Sequence, residues 1–335
     1  MDSVKTATVD RTGYPDAVTP WEDPDWRAAA LDWITTSLAA HGLRTPGPDR
    51  IRLRPWSVLL RLPVQDSAVR WFKANPPGSR FEGPLTAALA RRVPGHVLTP
   101  LALDADRGWS LLPPGGDLFR DVLARGPVPL AAWERLLHQY AETQHALVPY
   151  ADSLLTLGVP SARTLELPAL FDRLVADNPA LLPEGRRRLR ALRPQLLDWS
   201  EELAAVGVPD TLDHTDLHDG QLFHRATPGA PPHFTFFDWG DAAVSHPFGC
   251  LLVPLRRAAE LHGPAALPRL RDAYLEPWTS PHLPAPSLRR AATLAWRLAP
   301  LHRAHSYGRF FPAEAATGAP DAARWLLRLA DEPEV

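Results

Sequence analysis

Residues 214–241 read HTDLHDGQLFHRATPGAPPHFTFFDWGD, and the spacing within this stretch decides how the chain folds around its chemistry. Gln221-Leu222-Phe223-His224 is a short strand signal. Thr227-Pro228-Gly229-Ala230-Pro231-Pro232 is turn-rich, and Phe234-Thr235-Phe236-Phe237 is a second apolar strand. Paired antiparallel, the start of the first strand lies beside the end of the second. Asp216 and Gln221 are thereby folded toward Asp238, although 22 positions separate the two aspartates. His214, Asp216, His218, Asp219, Asp238 and Asp241 gather at the ends of this hairpin. Carboxylates converging at one mouth are costly unless a cation or a proton joins them. The expected occupant is a divalent metal with a catalytic carboxylate beside it.

The rest of the composition is that of an ordinary globular protein, with 45% hydrophobic and 22% charged residues among 335. A net charge of −2 gives no global field for nucleic acid or an anionic membrane, and no obligate protein partner is evident. The single cysteine, Cys250, leaves no internal disulfide and fits a reducing compartment. The first residues, MDSVKTATVDRTGYPD, lack the apolar core of a signal peptide, so a soluble cytoplasmic protein is expected. Lysine and arginine total 36, yet only Lys5 and Lys73 are lysines. Lys73 sits inside the apolar segment Ala68-Val69-Arg70-Trp71-Phe72-Lys73. A lone internal lysine in an arginine-biased chain suggests a site that requires lysine. A strand-end lysine that snorkels to solvent fits its position equally well.

Residues 1–20 read as a disordered tail. Asp23-Pro24 opens a helix, with Asp23 as N-cap and Pro24 at its first position, and Gly42 closes it. Strand signals follow at 51–54, 58–62, 68–72, 96–103 and 109–112, with a helix at about 82–92. Pro113-Pro114-Gly115-Gly116 marks a boundary. Beyond it helices are expected near 117–125, 128–147, 166–177, 184–206, 247–262, 264–275, 286–306 and 313–331, interrupted by the hairpin. The expected architecture is α+β and bilobal. Residues 21–115 would form an N-terminal helix plus a small five-stranded antiparallel nucleotide-binding lobe. Residues 116–335 would form a larger helical lobe carrying the catalytic hairpin and binding substrate.

Phosphoryl transfer needs a lysine on the nucleotide phosphates, metal ligands, and a carboxylate that aligns the acceptor hydroxyl. The order of Lys73, Glu82, Asp216, Gln221 and Asp238 fits those parts. HTDLHDGQLF, FFDWGD, RWFKA and RFEGPLTAALARR together resemble the aminoglycoside phosphotransferase family, a branch of the protein-kinase-like fold. The resemblance covers residues 50–310 in layout, and the 214–241 block is its specific part. It implies an ATP- or GTP-dependent kinase that phosphorylates a hydroxyl of a small molecule with the help of Mg²⁺. Asp216 would orient or accept the hydroxyl proton, and Asp238 and Gln221 would ligate the metal. Lys73 would pair with the phosphates, Glu82 would hold Lys73, and Ser57 would face the cofactor. His214 would support the loop, and Asp241 and Trp239 are candidates toward the substrate.

Other roles fit some of these residues. Ser79-x-x-Glu82 is also a capping-box pattern. His218 and Asp219 read as solvated turn residues, with Gly220 supplying a left-handed backbone. Trp239 beside a strand end is more often packing, and His138 and His145 read as a polar helix face. Arg297, His302, His305 and Tyr307 are weaker pocket candidates. Gln221 stands where the family usually has Asn, Arg54-Pro55-Trp56-Ser57 offers no glycine for phosphate, and Pro113-Pro114 removes two backbone donors. These departures keep open an alternative, a catalytically weak or inactive nucleotide-binding protein. A metal-dependent hydrolase on His214, Asp216, His218 and Asp219 is a third reading.

Overall fold

A computed structural model describes residues 7–65, 69–227, 229–311 and 318–331. The chain divides into two compact units. The first holds the chain through Arg91, Val97–Gly115 and the segment from Gly308; the second holds Arg92–His96, Gly116–Tyr307 and the stretch from Gly318.

The first unit is built on one six-stranded sheet: β1 Thr8–Asp10, β2 Arg50–Arg54, β3 Ser57–Pro63, β4 Val69–Ala74, β5 Ala102–Asp104 and β6 Trp109–Leu112. The spatial order is β1-β2-β3-β4-β6-β5. This corrects the expected five antiparallel strands. β1 lies within the segment read as a tail and pairs parallel to β2, while residues 1–6 fall outside the described residues. The strand expected over 96–103 shrinks to its last residues, because Pro100 interrupts the run and only Ala102–Asp104 pair with β6.

Helix α1, Pro24–Ala39, starts as the sequence predicts: the Asp23 carboxylate accepts from the amides of Asp25 and Trp26. Its buried residues Ala30, Ile34 and Leu38 recur at helical spacing and share one core with Leu53, Leu60, Phe72 and Trp109 of the sheet. Trp26 and Trp33 both meet Phe72 and Trp109 edge-on, at 5.4–6.5 Å between ring centroids. Each such side chain contributes about 1.5–3 kcal/mol by burial, so the helix belongs to the core of this unit. Helix α2, Glu82–Arg92, begins with Gly83 against the sheet. A Cβ there would lie 2.9 Å from Ser110 Oγ, so only glycine lets the first turn approach β6.

The second unit is mainly helical: α3 Phe119–Arg125, α4 Leu130–Leu147, α5 Ala151–Leu155, α6 Leu167–Asp177, α7 Pro183–Ala205, α8 Leu252–His262, α9 Leu267–Leu275, α10 Ala285–Ser306 and α11 Ala319–Leu327. Asp117–Leu118, expected as helix, is instead strand β7, and part of the segment expected at 313–331 lies outside the described residues. β7 pairs with β10 (Leu222–Arg225), which pairs antiparallel with β11 (His233–Phe236). A second small sheet has β12 (Ala243–Ser245) between β8 (Ser161–Ala162) and β9 (Thr211–Asp213). Helix α4 fastens both sheets through fully buried amides. Gln139 donates to the Phe234 carbonyl at 2.6 Å and accepts from the Phe234 amide at 3.0 Å. Gln144 donates to the Leu212 carbonyl at 3.0 Å. A buried amide satisfied on both its ends fixes position as well as contributing energy, because the unpaired alternative is expensive.

Asp23→Ala removes the cap of α1 and is expected to cost about 1 kcal/mol of stability, read as a lower denaturation midpoint at unchanged slope.

Candidate active site

In the first unit the site residues are Lys73, Asn75 and Glu82. Lys73 is near the end of β4, opposite Leu59 and Ser110. Its ammonium donates to both oxygens of Glu82, at 2.8 and 2.7 Å. Asn75 Nδ2 donates to the same carboxylate and to the Ser79 carbonyl, the latter at 3.0 Å. Both ends of the ion pair are buried. Glu82 therefore acts as the lysine's partner, and the snorkelling reading of Lys73 fails. Ser57 is also buried, at the first position of β3 and directly opposite Arg54. Pro55-Trp56 is thus a two-residue turn. The Pro55 carbonyl accepts from the Phe311 amide at 2.6 Å, and Trp56 packs edge-on against Tyr14.

In the second unit the hairpin register delivers what its sequence predicts. Leu222 faces Phe236, and the Phe237 amide donates to the Gln221 carbonyl at 3.1 Å. Gln221 and Asp238 are therefore neighbours at one end of the β10–β11 ladder. Asp238 has a left-handed backbone, φ 65° and ψ 55°. A non-glycine residue there carries strain of about 1–2 kcal/mol, which the surrounding contacts must hold. His214 supplies one of them: its Nε2 hydrogen-bonds the Phe237 carbonyl at 2.9 Å. Its amide donates to the Tyr140 hydroxyl at 2.8 Å, and its ring lies 4.7 Å from that of Trp239. Trp239 is 1% exposed, so it is packing for this loop.

Asp216 follows Thr215, the other left-handed non-glycine residue (φ 68°) among those described. Arg303 from α10, itself buried, reaches Asp216 at 3.2 Å, Asp241 at 3.5 Å and the Thr215 carbonyl at 3.4 Å. Burial raises the Asp216 carboxyl above its usual range, and the neighbouring Asp238 adds to this against the pull of Arg303 and His214. Arg303 escaped the sequence reading, which singled out its neighbours Arg297, His302 and His305. The missed signal was the α10 register that faces position 303 inward.

Asp219 and Gly220 behave differently from expectation. Asp219 is buried, and its two oxygens accept from Nε of Arg120 at 3.0 Å and Nε of Arg257 at 2.9 Å. Gly220 is absent from the left-handed residues. Its requirement is space, since a Cβ would lie 2.5 Å from Arg120 Nη2. The Nδ1 of His218 accepts from the Gly220 amide at 2.9 Å and faces Arg120 Nη2 at 3.0 Å. Burial and Arg120 hold His218 neutral, with its pKa lowered to about 4. A metal cluster on His214, Asp216, His218 and Asp219 is therefore not assembled. Asp219 serves two guanidiniums, His218 Nδ1 serves donors, and His214 Nε2 serves a backbone carbonyl.

Among the described residues no three His, Cys, Asp or Glu side chains form a metal cage. One carboxylate and one amide oxygen, from Asp238 and Gln221, suit an ion that takes its other ligands from phosphate and water. Mg²⁺ is commonly held in that way.

No family model matches the chain, and no curated protein matches it in sequence. Solved structures do. A macrolide 2′-phosphotransferase from Brachybacterium faecium aligns with a TM-score of 0.54 and 21% identity over 91% of this chain and 99% of its own. The GDP and kanamycin complex of APH(2″)-IIIa aligns at 0.54 and 17%, over 89% and 97%. A Plasmodium vivax ethanolamine kinase aligns at 0.61 and 11%, over 96% and 92%. The chain has the protein-kinase-like fold of these phosphotransferases. Within that fold Lys73 and Glu82 belong to the first unit, and Asp216, Gln221, Asp238 and Asp241 belong to the second. No helix among the described residues is long and apolar enough to cross a membrane.

Beneath the 214–216 loop lies Asp213, fully buried, with Oδ1 accepting from the Thr215 amide and the Tyr140 hydroxyl beside it. Burial raises its pKa to about 7. The folded state thus holds a proton that the unfolded chain, with a carboxyl near 4, releases above that pH. The contribution of Asp213 to stability is expected to fall as pH rises from about 4 to 7, by on the order of 3 kcal/mol, and to level off above. Asp213→Asn should flatten this slope, so that the variant gains melting temperature relative to wild type at pH 8 but not at pH 4.5.

Proposed function

We propose that the protein is a phosphotransferase that moves the γ-phosphoryl group of ATP or GTP to a hydroxyl of a small molecule. The observation that carries this is the tie between the two halves of the 214–241 stretch. His214 and Gln221 both bond the backbone of Phe237, next to Asp238, while Asp216 stands on the same loop with an elevated pKa. The fold shared with macrolide, aminoglycoside and ethanolamine phosphotransferases supports the same reading.

Asp216 accepts the hydroxyl proton and orients the attacking oxygen. Its elevated pKa suits a group that must bind a proton during the transfer. Arg303 fixes the Asp216 carboxylate, and His214 fixes the backbone that presents Asp238. Asp238 and Gln221 would hold Mg²⁺, which when bound neutralises charge on the phosphates. Lys73, oriented by Glu82 and Asn75, supplies a compact cation for phosphate oxygens. The acceptor is a free small molecule; no nucleic acid, membrane or obligate protein partner enters the reaction, and the cytoplasm is its setting.

A second reading, nucleotide binding without transfer, draws on Gln221 in place of Asn and on the two-residue Pro55-Trp56 turn, which offers no run of glycine amides to phosphate. Calorimetry with nucleotide and Mg²⁺ beside a turnover assay separates the two, because binding without turnover in wild type would favour this reading.

Asp216→Ala is expected to lower kcat roughly 10²–10⁴-fold while nucleotide affinity is retained. An unchanged turnover rate would remove Asp216 from its role. Gln221→Asn, which shortens the side chain by one methylene, is expected to shift the Mg²⁺ concentration that gives half-maximal rate while leaving the melting temperature within about 1 °C, as for a surface substitution.

A further inference from the structure

The acceptor's chemistry is written in the cavity that contains Asp216. It has a volume of about 430 Å³ and lies within the second unit. Four arginines line it, Arg120, Arg256, Arg257 and Arg303, against three carboxylates, those of Asp216, Asp219 and Glu260. Each carboxylate is already bonded to an arginine. Asp219 spends both oxygens on Nε of Arg120 and Arg257, Glu260 accepts from Arg257 Nη1 at 2.8 Å, and Asp216 is paired with Arg303. His218 is neutral and accepts hydrogen bonds at Nδ1.

We infer, on the basis of the phosphotransferase reading above, that the acceptor is a hydroxyl compound carrying an anionic group, a carboxylate or an acid of similar shape, and is not a polyamine. Asp219 is the constructive element. One buried carboxylate bonds two guanidiniums through their Nε atoms, which sets both planes; Arg257 Nη1 then goes to Glu260 and Arg120 Nη2 to His218, so Arg120 Nη1 and Arg257 Nη2 are the donors left for a ligand. Arginine has five donors and no acceptor, and its fork matches a carboxylate or phosphate in two parallel bonds. An ammonium group entering the same cavity would meet four guanidiniums, and each of the three carboxylates there is already bonded to one of them. Gly220 belongs to the same device, since any side chain at that position would displace Arg120.

With the anion held by Arg120 and Arg257, a hydroxyl elsewhere on the same molecule reaches Asp216. Its oxygen forms a bond to the γ-phosphorus while the bond from that phosphorus to the β,γ-bridging oxygen breaks. The hydroxyl proton passes to the Asp216 carboxylate, and the products are a phosphate monoester and the nucleoside diphosphate.

The test is transfer of labelled γ-phosphate from ATP with Mg²⁺ to three size-matched sets of hydroxyl compounds: anionic, neutral and cationic. Gluconate, gluconamide and glucamine form one matched triple. The acceptor with the highest kcat/KM is expected in the anionic set. Arg257→Gln and Arg120→Gln are each expected to raise its KM at least about tenfold, the scale of one charge-assisted bond, with kcat moved less than about threefold. Arg256→Gln reads the same lining should either variant fail to fold. A best acceptor that is neutral or cationic, or a KM for the anionic acceptor that none of the three substitutions moves, overturns the inference and leaves the phosphotransferase reading standing. Absence of Asp216-dependent turnover with every set sinks that reading, and the inference with it.

Discussion

A single buried guanidinium organises the candidate catalytic loop. Arg303 comes from α10, and the groups it binds come from two other places, the loop before β10 and the turn after β11. A buried cation is tolerable only with charged partners, and taking away one member of such a pair costs about 3–5 kcal/mol. Asp216 and Asp241 are those partners, so the folded chain must bring both to α10 whether or not substrate is present. The candidate base is thereby placed before any ligand arrives. The same arginine opposes the rise in Asp216's pKa that burial causes. One contact thus bears on both the position and the basicity of one side chain.

That arrangement stores strain at two points and restrains it from a third. Thr215 and Asp238 both adopt left-handed backbones without being glycine. Each flanks or carries a site residue, and each is held by bonds that reach back to α4 or across the hairpin. Tyr140 accepts from the His214 amide, Gln139 grips Phe234, and His214 grips Phe237. A helix that makes no contact with the reacting atoms is therefore the rigid base of the loop. The fully buried Asp213 below the loop belongs to the same balance: burial raises its pKa to about 7, against the hydrogen bonds it makes with the Thr215 amide and the Tyr140 hydroxyl.

The hairpin and its consequences were legible in the sequence because strand alternation and turn residues are local signals. Asp23 as a cap, Lys73 near the end of β4 and the convergence of Gln221 on Asp238 follow from such signals. What was not legible depends on partners distant in the chain. Asp219 looks like a solvated turn residue until Arg120 and Arg257, 99 and 38 residues away, close over it. Gly220 looks like a left-handed glycine, but its constraint is a guanidinium arriving from α3. Arg303 looks like one more arginine among many, and only the packing of α10 turns it inward. The segment at 8–10 carries no amphipathic signal of its own, and it becomes a strand because β2 offers an unpaired edge.

The bias toward arginine therefore has two physical meanings in one chain. On the outside it is a habit of composition, as in the exposed pair of Arg290 with Glu202. Around Asp216 and Asp219 it is structural, because a planar guanidinium can bind one carboxylate through Nε and still present its Nη edge elsewhere, which an ammonium cannot do. Lysine appears where that planarity is a disadvantage. Lys73 satisfies both oxygens of Glu82 with one compact ammonium, whose carboxylate partner is held in turn by Asn75. The chain departs from its own compositional habit at a position where the chemistry of the cation matters more than its sign.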